Sequence, residues 1–386
     1  MLRFLVLQTL PKPAAFSPNN ALLTLARRLD RSRFAMTVAV PRAGLLTQAL
    51  EREGIPVALV SGLRTYRRHD ALWRFPVVAL KVAHLARRTG AKLLVSNHAE
   101  LGPFANAAAR LTGNPWICFL RQADRPSRYY DKYRVARADA VASVSAAALG
   151  SYQAYLTERK LPPHPMRVIP TGIDAPPCVG PGGSGNDRDT SPGLPTVGTV
   201  GLRGVKRPGH LLEIFARVRR QVPSARCMLI GGGDPAELEN LRSLAASLGL
   251  AEAVDFPGQR REMGEWYRRM NVYAHTSRSE ALPKVVLEAM VHALPVVSFD
   301  VGGIGEAVVS GETGFLCAEG DLDAFASGLT QLLSDPALAR RFGAAGRIRA
   351  EQHFSPMAMA EGMMALFIEV LSGRGAASTI SSPRAV

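Results

Sequence analysis

A chain of 386 residues, 47% of them apolar, is long enough for two domains of ordinary size and too hydrophobic for a disordered polymer. It holds no run of the roughly 18 apolar residues that span a membrane. Its start turns polar at Gln8, Thr9 and Pro11, too soon for a secretory leader, and Cys118, Cys178, Cys227 and Cys317 lack disulfide or zinc spacing, so a cytoplasmic location is expected.

The formal charge of +15 sits in the N-terminal half: residues 1–180 hold 26 Lys and Arg against 10 Asp and Glu, and the remainder holds 21 against 22. Such asymmetry suits an anionic partner (a membrane surface, a phosphorylated lipid or a nucleic acid) or a merely solvated face. In chain order, residues 4–7, 37–40, 93–95 and 116–120 read as buried strands of a first domain, 1–177. Within it, residues 66–92 interleave Arg67, Arg68, Arg74, Lys81, Arg87 and Arg88 with Trp73, Phe75, Val78, Leu80, Val82 and Leu85. The apolar stripe suits the core face of a helix, and the Arg cluster suits an anionic interface. Residues 178–194 are rich in Pro, Gly, Ser and Asp, the composition of a linker.

A second domain, 195–354, repeats the rhythm at 196–200, 227–230, 253–256, 272–275 and 295–299. A last helix over 355–371 has a route back to the first domain, and the small polar residues 372–386 read as a disordered tail. Strands alternating with helices predict an α/β protein of two Rossmann-like, doubly wound parallel sheets. Ligands then belong beyond the carboxyl ends of the strands, with the cleft between the two domains the natural place.

The segment 273–300 (YAHTSRSEALPKVVLEAMVHALPVVSFD) reads as strand, polar loop, helix and buried strand. Pro283 suits the first helical position. That leaves the N–H groups of Lys284 and Val285 at a helix N-terminus, where an anion is favoured, and Lys284 adds a full positive charge. Glu280 lies just before that terminus and Glu288 one turn after Lys284, so both carboxylates suit sugar or ribose hydroxyls at one site. The strand 196–200 leads through a glycine-rich loop with Arg203 and Lys206 into a helix beginning near Pro208. Two cations there suit a diphosphate and the charge that grows on it as a glycosidic bond breaks. Gly231, Gly232 and Gly233 permit close approach of a ligand, or merely a turn. Asp187-Arg188-Asp189 and Asp321-Leu322-Asp323 spell D-x-D, but the first lies in the linker and the second caps a helix. Neither offers a converging third ligand, so no metal is expected.

The pair Glu280 and Glu288, eight apart, with LEAM at 287–290, PVVSFDVGG at 295–303 and GETGFL at 311–316, resembles glycosyltransferase family 4 of the GT-B fold. The likeness runs over roughly 195–354 and more weakly over 1–174, where TGID at 171–174 is similar to the family's hinge. The resemblance implies a retaining transferase that needs no cofactor or metal and takes a nucleoside-diphosphate sugar. It implies Glu288 on the donor ribose, Glu280 on the transferred sugar, Arg203 and Lys206 on the phosphates, and Gln259 or Arg260 near the nucleobase. Gly302 and Gly303 match a glycine pair facing the donor, and His98 matches a His often found after the strand 93–95, although a lone His also suits a structural role.

Three positions depart from the family's pattern. Leu202 stands where an Arg usually follows. Pro13, Ala14, Ala15 and Phe16 replace a glycine pair, and Arg121 stands where a His usually ends the strand 116–120; these two changes fall on the acceptor side. The expected acceptor is a saccharide or lipid-linked saccharide of a bacterial envelope or exopolysaccharide, met by a protein held peripherally on an anionic membrane surface, the cytoplasmic face of the inner membrane. A sugar-nucleotide epimerase and a non-enzymatic module binding an anionic polymer are the rivals. No aromatic platform or reading motif supports nucleic acid.

Overall fold

The computed structural model describes residues 1–10, 21–66, 73–176 and 194–373. Positions 13–16, Arg67, Arg68, Cys178, Asp187 and Asp189, most of the linker and the tail beyond 373 lie outside them. The chain divides into two units, one of Met1–Gly172 with Pro356–Val386 and the other of Ile173–Ser355.

Seven strands form the sheet of the first unit: β1 (Leu2–Leu7), β2 (Phe34–Val40), β3 (Val57–Leu59), β4 (Leu93–Ser96), β5 (Trp116–Leu120), β6 (Ala140–Ser143) and β7 (Met166–Val168). All pair in parallel, in the order β3-β2-β1-β4-β5-β6-β7. Parallel neighbours need crossover helices, and these cover both faces, so the inner strands β4, β5 and β6 are buried on both sides. Leu5 and Leu7 of β1 enter one core with the helices Arg74–Thr89 and Gly102–Thr112. Phe4 and Val6 enter the other, with Ala21–Arg28 and the last helix, Pro356–Leu371. The rings of Phe4 and Phe367 lie 4.8 Å apart.

The basic stretch resolves differently from its sequence reading. Val78, Ala79, Val82, Ala83 and Ala86 form the buried face of Arg74–Thr89, whereas Trp73 is 84% and Leu80 59% exposed. The stripe therefore does not go to the core as one piece. Arg74 is also no surplus surface charge: its Nε and Nη2 donate to the Gly62 carbonyl at 3.1 and 2.6 Å, clamping the start of the helix.

The second unit holds β8 (Thr196–Val200), β9 (Arg226–Ile230), β10 (Val254–Gly258), β11 (Val272–His275), β12 (Val296–Phe299) and β13 (Gly314–Cys317). Its order is β10-β9-β8-β11-β12-β13, again parallel throughout. Counted from its own first strand, each sheet therefore contains the run 3-2-1-4-5-6, and the order reverses between β1 and β4 and between β8 and β11. Helices leave opposite faces at such a reversal, which opens a crevice at the carboxyl ends of those strands.

Candidate functional site

In the second unit the loops after β8 and β11, on either side of the reversal, are stitched together. Thr276 Oγ1 donates to the carbonyls of Lys206 and Arg207 at 2.8 and 3.1 Å, and the Arg278 N–H donates to the Val205 carbonyl at 3.0 Å. This seam brings Lys206 Nζ to 2.5 Å from Glu280 Oε1, which also accepts from Ser277 Oγ at 2.7 Å and lies 3.1 Å from His275 Nε2. Three donors thus converge on one carboxylate oxygen. Burial pushes the Glu280 carboxyl up, but the hydrogen bond from His275 and the charge of Lys206 outweigh it and hold the group at about 2. Burial lowers His275 as well, Glu280 opposing and Lys206 adding to the effect. A neutral imidazole carrying its proton on Nε2 satisfies that contact.

The glycine pair locks the same residue from behind. Gly302 has φ +58°, and a Cβ there would overlap the Glu280 carbonyl oxygen. Gly303 donates its N–H to that carbonyl at 3.1 Å. Glycine at 302 is therefore required by the backbone of Glu280, whatever ligand it also faces, whereas the Gly303 contact uses an N–H that any residue but proline carries.

The next helix spans Lys284–Val291 with Pro283 as its N-cap rather than its first residue, so it begins one residue later than the proline suggests. Its first internal bonds run from Val286 and Leu287 to the Pro283 carbonyl, so the N–H groups of Lys284 and Val285 precede the helical ladder. Glu288, one turn on, accepts from Tyr267 Oη at 3.0 Å. Tyr267 stacks on His292 at 4.9 Å, and His292 Nδ1 donates to the Glu288 carbonyl at 2.7 Å.

Along the rim, Leu202 is buried against Gly231, while Arg203 is exposed and makes no ion pair with a described residue. Gly232 lies under Gln259, where a Cβ would come 3.1 Å from its Oε1. Arg260 and Arg269 both lie over the Trp266 ring, at 4.9 and 4.7 Å. Asp321 caps the helix Leu322–Ser334 through the Ala324 N–H, and Asp323 pairs with Arg217 at 2.9 Å. Among the described residues no cluster of three His, Cys, Asp or Glu side chains could hold a metal ion.

The first unit has its own polar cluster at its reversal point. Gln8 follows β1, Asn97 and His98 follow β4, and Arg121 follows β5. Arg121 donates from Nε and Nη2 to the Asn97 carbonyl and Oδ1 at 2.9 and 2.5 Å. Asn97 Nδ2 donates to Gln8 Oε1 at 2.5 Å, and Gln8 Nε2 lies 3.5 Å from His98 Nε2. Burial, with the Arg121 charge added, lowers His98 to about 3, so its ring stays neutral. Burial alone lowers Arg121 to about 10.

Comparison with known families places these two halves. The model of glycosyltransferase family 4 matches residues 19–175, and that of glycosyl transferases group 1 matches residues 189–349. The chain is a group 1, family 4-like glycosyltransferase. The transferase is 30% identical over 160 residues to an uncharacterized glycosyltransferase of Haemophilus influenzae, a match covering 41% of this chain and 45% of that protein. This chain thus matches less than half the length of that relative. It is 27% identical over 285 residues to the lipopolysaccharide core biosynthesis mannosyltransferase LpcC of Rhizobium leguminosarum, covering 72% and 75%. HepE of Anabaena, solved with UDP and glucose, superposes at a TM-score of 0.78 and 21% identity over 95% of this chain and all of that one, which establishes the GT-B fold.

Of the residues singled out from sequence, the transferase gathers Lys206, Gly302 and Gly303 around Glu280 and sets Lys284, Val285 and Glu288 on the helix that follows. Gly232 and Gln259 meet after β9 and β10, and His98 and Arg121 share the first unit's cluster. Sequence reasoning passed over His275, Ser277, Thr276 and Tyr267. His275 closes an apolar strand and reads as a core residue; the available signal was its distance of five residues from Glu280, short enough for a loop to fold back on the strand end.

Proposed function

We propose that this transferase moves a sugar from a nucleoside-diphosphate sugar to a hydroxyl of a saccharide or lipid-linked saccharide, in envelope or exopolysaccharide synthesis, with retention at the anomeric carbon and without a metal. The observation that carries the reading is the Glu280 cluster at the reversal of the second sheet, with Arg203 and a helix N-terminus bearing Lys284 in the adjoining elements. HepE's UDP and glucose and LpcC's role in lipopolysaccharide core synthesis support the substrate class.

In this reading the ionised Glu280 accepts from a hydroxyl of the transferred sugar and Glu288 from the ribose, while Gln259 and Arg260 border the nucleobase. Lys206 is already paired to Glu280, so it divides its charge between orienting that carboxylate and the diphosphate. Arg203 and the N–H groups at Lys284 and Val285 supply the remaining stabilisation as the bond from the anomeric carbon to the diphosphate breaks. The acceptor oxygen forms its bond on the same face, and its proton passes to the departing diphosphate, so no protein base is needed. His98, neutral at working pH, serves as a hydrogen-bonding group.

The first unit meets an anionic membrane peripherally. An apolar cavity of about 460 Å³ is lined by Phe75, Leu80 and Leu111 together with Arg110 and Arg134, and the exposed Trp73 caps the helix that supplies Phe75 and Leu80. Apolar side chains next to cations suit the headgroup boundary of such a surface.

Calorimetry with UDP and GDP, followed by a screen of UDP- and GDP-sugars for nucleotide release in the presence of lipid-extract acceptors and EDTA, tests the enzymatic reading. Saturable nucleotide binding and acceptor-dependent release are expected. Conversion of the donor sugar to its epimer without an acceptor would replace this reading with the epimerase one.

A further inference from the structure

Arg121 is a part-buried cation with no ion-pair partner among the described residues. Its Nε and Nη2 are spent on the oxygens of Asn97, a neutral residue, and its guanidinium lies 5.5 Å from the centre of the Phe119 ring. Two of its five N–H donors are used, and three remain. The group that fixes it is itself buried: Asn97 is 4% and Gln8 3% exposed, so the fork is held at one angle by side chains that have little room to move. A charge drawn partly out of water is ordinarily matched by a counter-charge, and here partial burial lowers Arg121 with nothing acidic opposing it. Neighbouring His98 is kept neutral, so the cluster presents one fixed positive charge at the carboxyl ends of β1, β4 and β5, where open sheets bind their ligands.

We propose that Arg121 binds an oxyanion carried by the acceptor, a carboxylate or a phosphate, so that the transferase selects an acidic saccharide over a neutral one. The proposal rests on the reading of the first unit as the acceptor side. A guanidinium held in plane by a bidentate contact presents its remaining edge to a planar or tetrahedral oxyanion with paired hydrogen bonds. Asn97 acts as a positioning residue for it.

The test uses the full chain at constant ionic strength, saturated with UDP, and three probes: glucuronate, glucose 6-phosphate and glucose. Binding is followed by NMR of the Arg Nε–H and His ring signals. One or both charged probes bind about tenfold or more tighter than glucose, as charge-assisted hydrogen bonds imply, and whichever binds tighter tells carboxylate from phosphate. Arg121→Gln abolishes that preference, Arg121→Lys keeps part of it, and Asn97→Ala weakens it with the charge unchanged. UDP affinity stays the same in all of them. Charged probes that bind no better than glucose in the natural protein, or a preference that survives Arg121→Gln, overturn the proposal while intact UDP binding leaves the transferase reading standing. Loss of UDP binding by the natural protein sinks that reading instead.

Discussion

A carboxylate oxygen that takes three donors is fixed in direction as well as in charge, and Glu280 shows how the two are linked. Its carboxyl would titrate near 4.5 and is held at about 2, so its bonds stabilise the second unit fully above pH 4.5 and are lost as pH falls toward 2. Lys206→Met removes one of the three donors. The folded value of Glu280 rises, the loss moves to higher pH, and stability at neutral pH drops by about 1–2 kcal/mol, less than for a fully buried pair because both side chains keep some solvent. Acid titration by circular dichroism reads this directly, and an unmoved acid midpoint would mean that His275 and Ser277 alone hold the carboxylate. Gly302→Ala forces a Cβ into the Glu280 carbonyl at a left-handed backbone position and destabilises the unit by about 2 kcal/mol or more, seen as a lower melting temperature. Glu288→Ala leaves the fold intact and weakens nucleotide binding by about tenfold to a hundredfold in calorimetry, the loss expected for a charged acceptor of two hydroxyls. Glu280, Glu288 and Lys206 were legible in the sequence because a strand-to-helix corner and a glycine-rich loop announce themselves over a few residues. The convergence on Oε1 was not, because it depends on Thr276 tying two loops that are 70 residues apart in the chain.

At the scale of elements, the strands that read clearly from sequence are those with bulky apolar side chains, the edge strand β10 among them. Four did not. β3 and β7 are three-residue edge strands, β6 is Ala-Val-Ala-Ser with little bulk to mark it, and β13 is Gly-Phe-Leu-Cys, overlapping the GETGFL motif and opening on a glycine. The helix Arg74–Thr89 was legible as amphipathic, but its division into a core face and an outward apolar edge was not, because Trp73 and Leu80 count as hydrophobic wherever they point. That edge makes a test of membrane contact that spares the structural Arg74. The Trp73→Ser, Leu80→Ser double variant loses about tenfold or more of its partition onto phosphatidylglycerol vesicles in flotation assays, since a buried Leu alone contributes about 1.5–3 kcal/mol. Its UDP affinity is unchanged. Equal partition of both proteins would confine membrane attraction to general charge.

At the scale of the whole molecule, both sheets carry one strand order, yet only the second unit is contiguous in sequence. The helix Pro356–Leu371 belongs to the first, with Met359, Met363, Leu366 and Phe367 in its core. Deleting residues 356–386 therefore lowers the thermal transition of the first unit and leaves that of the second in place. UDP at 100 times its dissociation constant marks the second by raising its stability about 2.7 kcal/mol. A single transition lost altogether would show that neither unit stands without the other. The same topology sets an order of events during synthesis. β1 leaves the ribosome first, but the side of it that carries Phe4 waits for Phe367, and the 183 residues of the second unit must be made in between. At about 5–20 residues per second this interval is about 10–40 s, with units already made otherwise free to fold as they emerge. Throughout it the nascent first unit carries an uncovered apolar strip, where Phe4 and Val6 await Met363, Leu366 and Phe367 of the last helix.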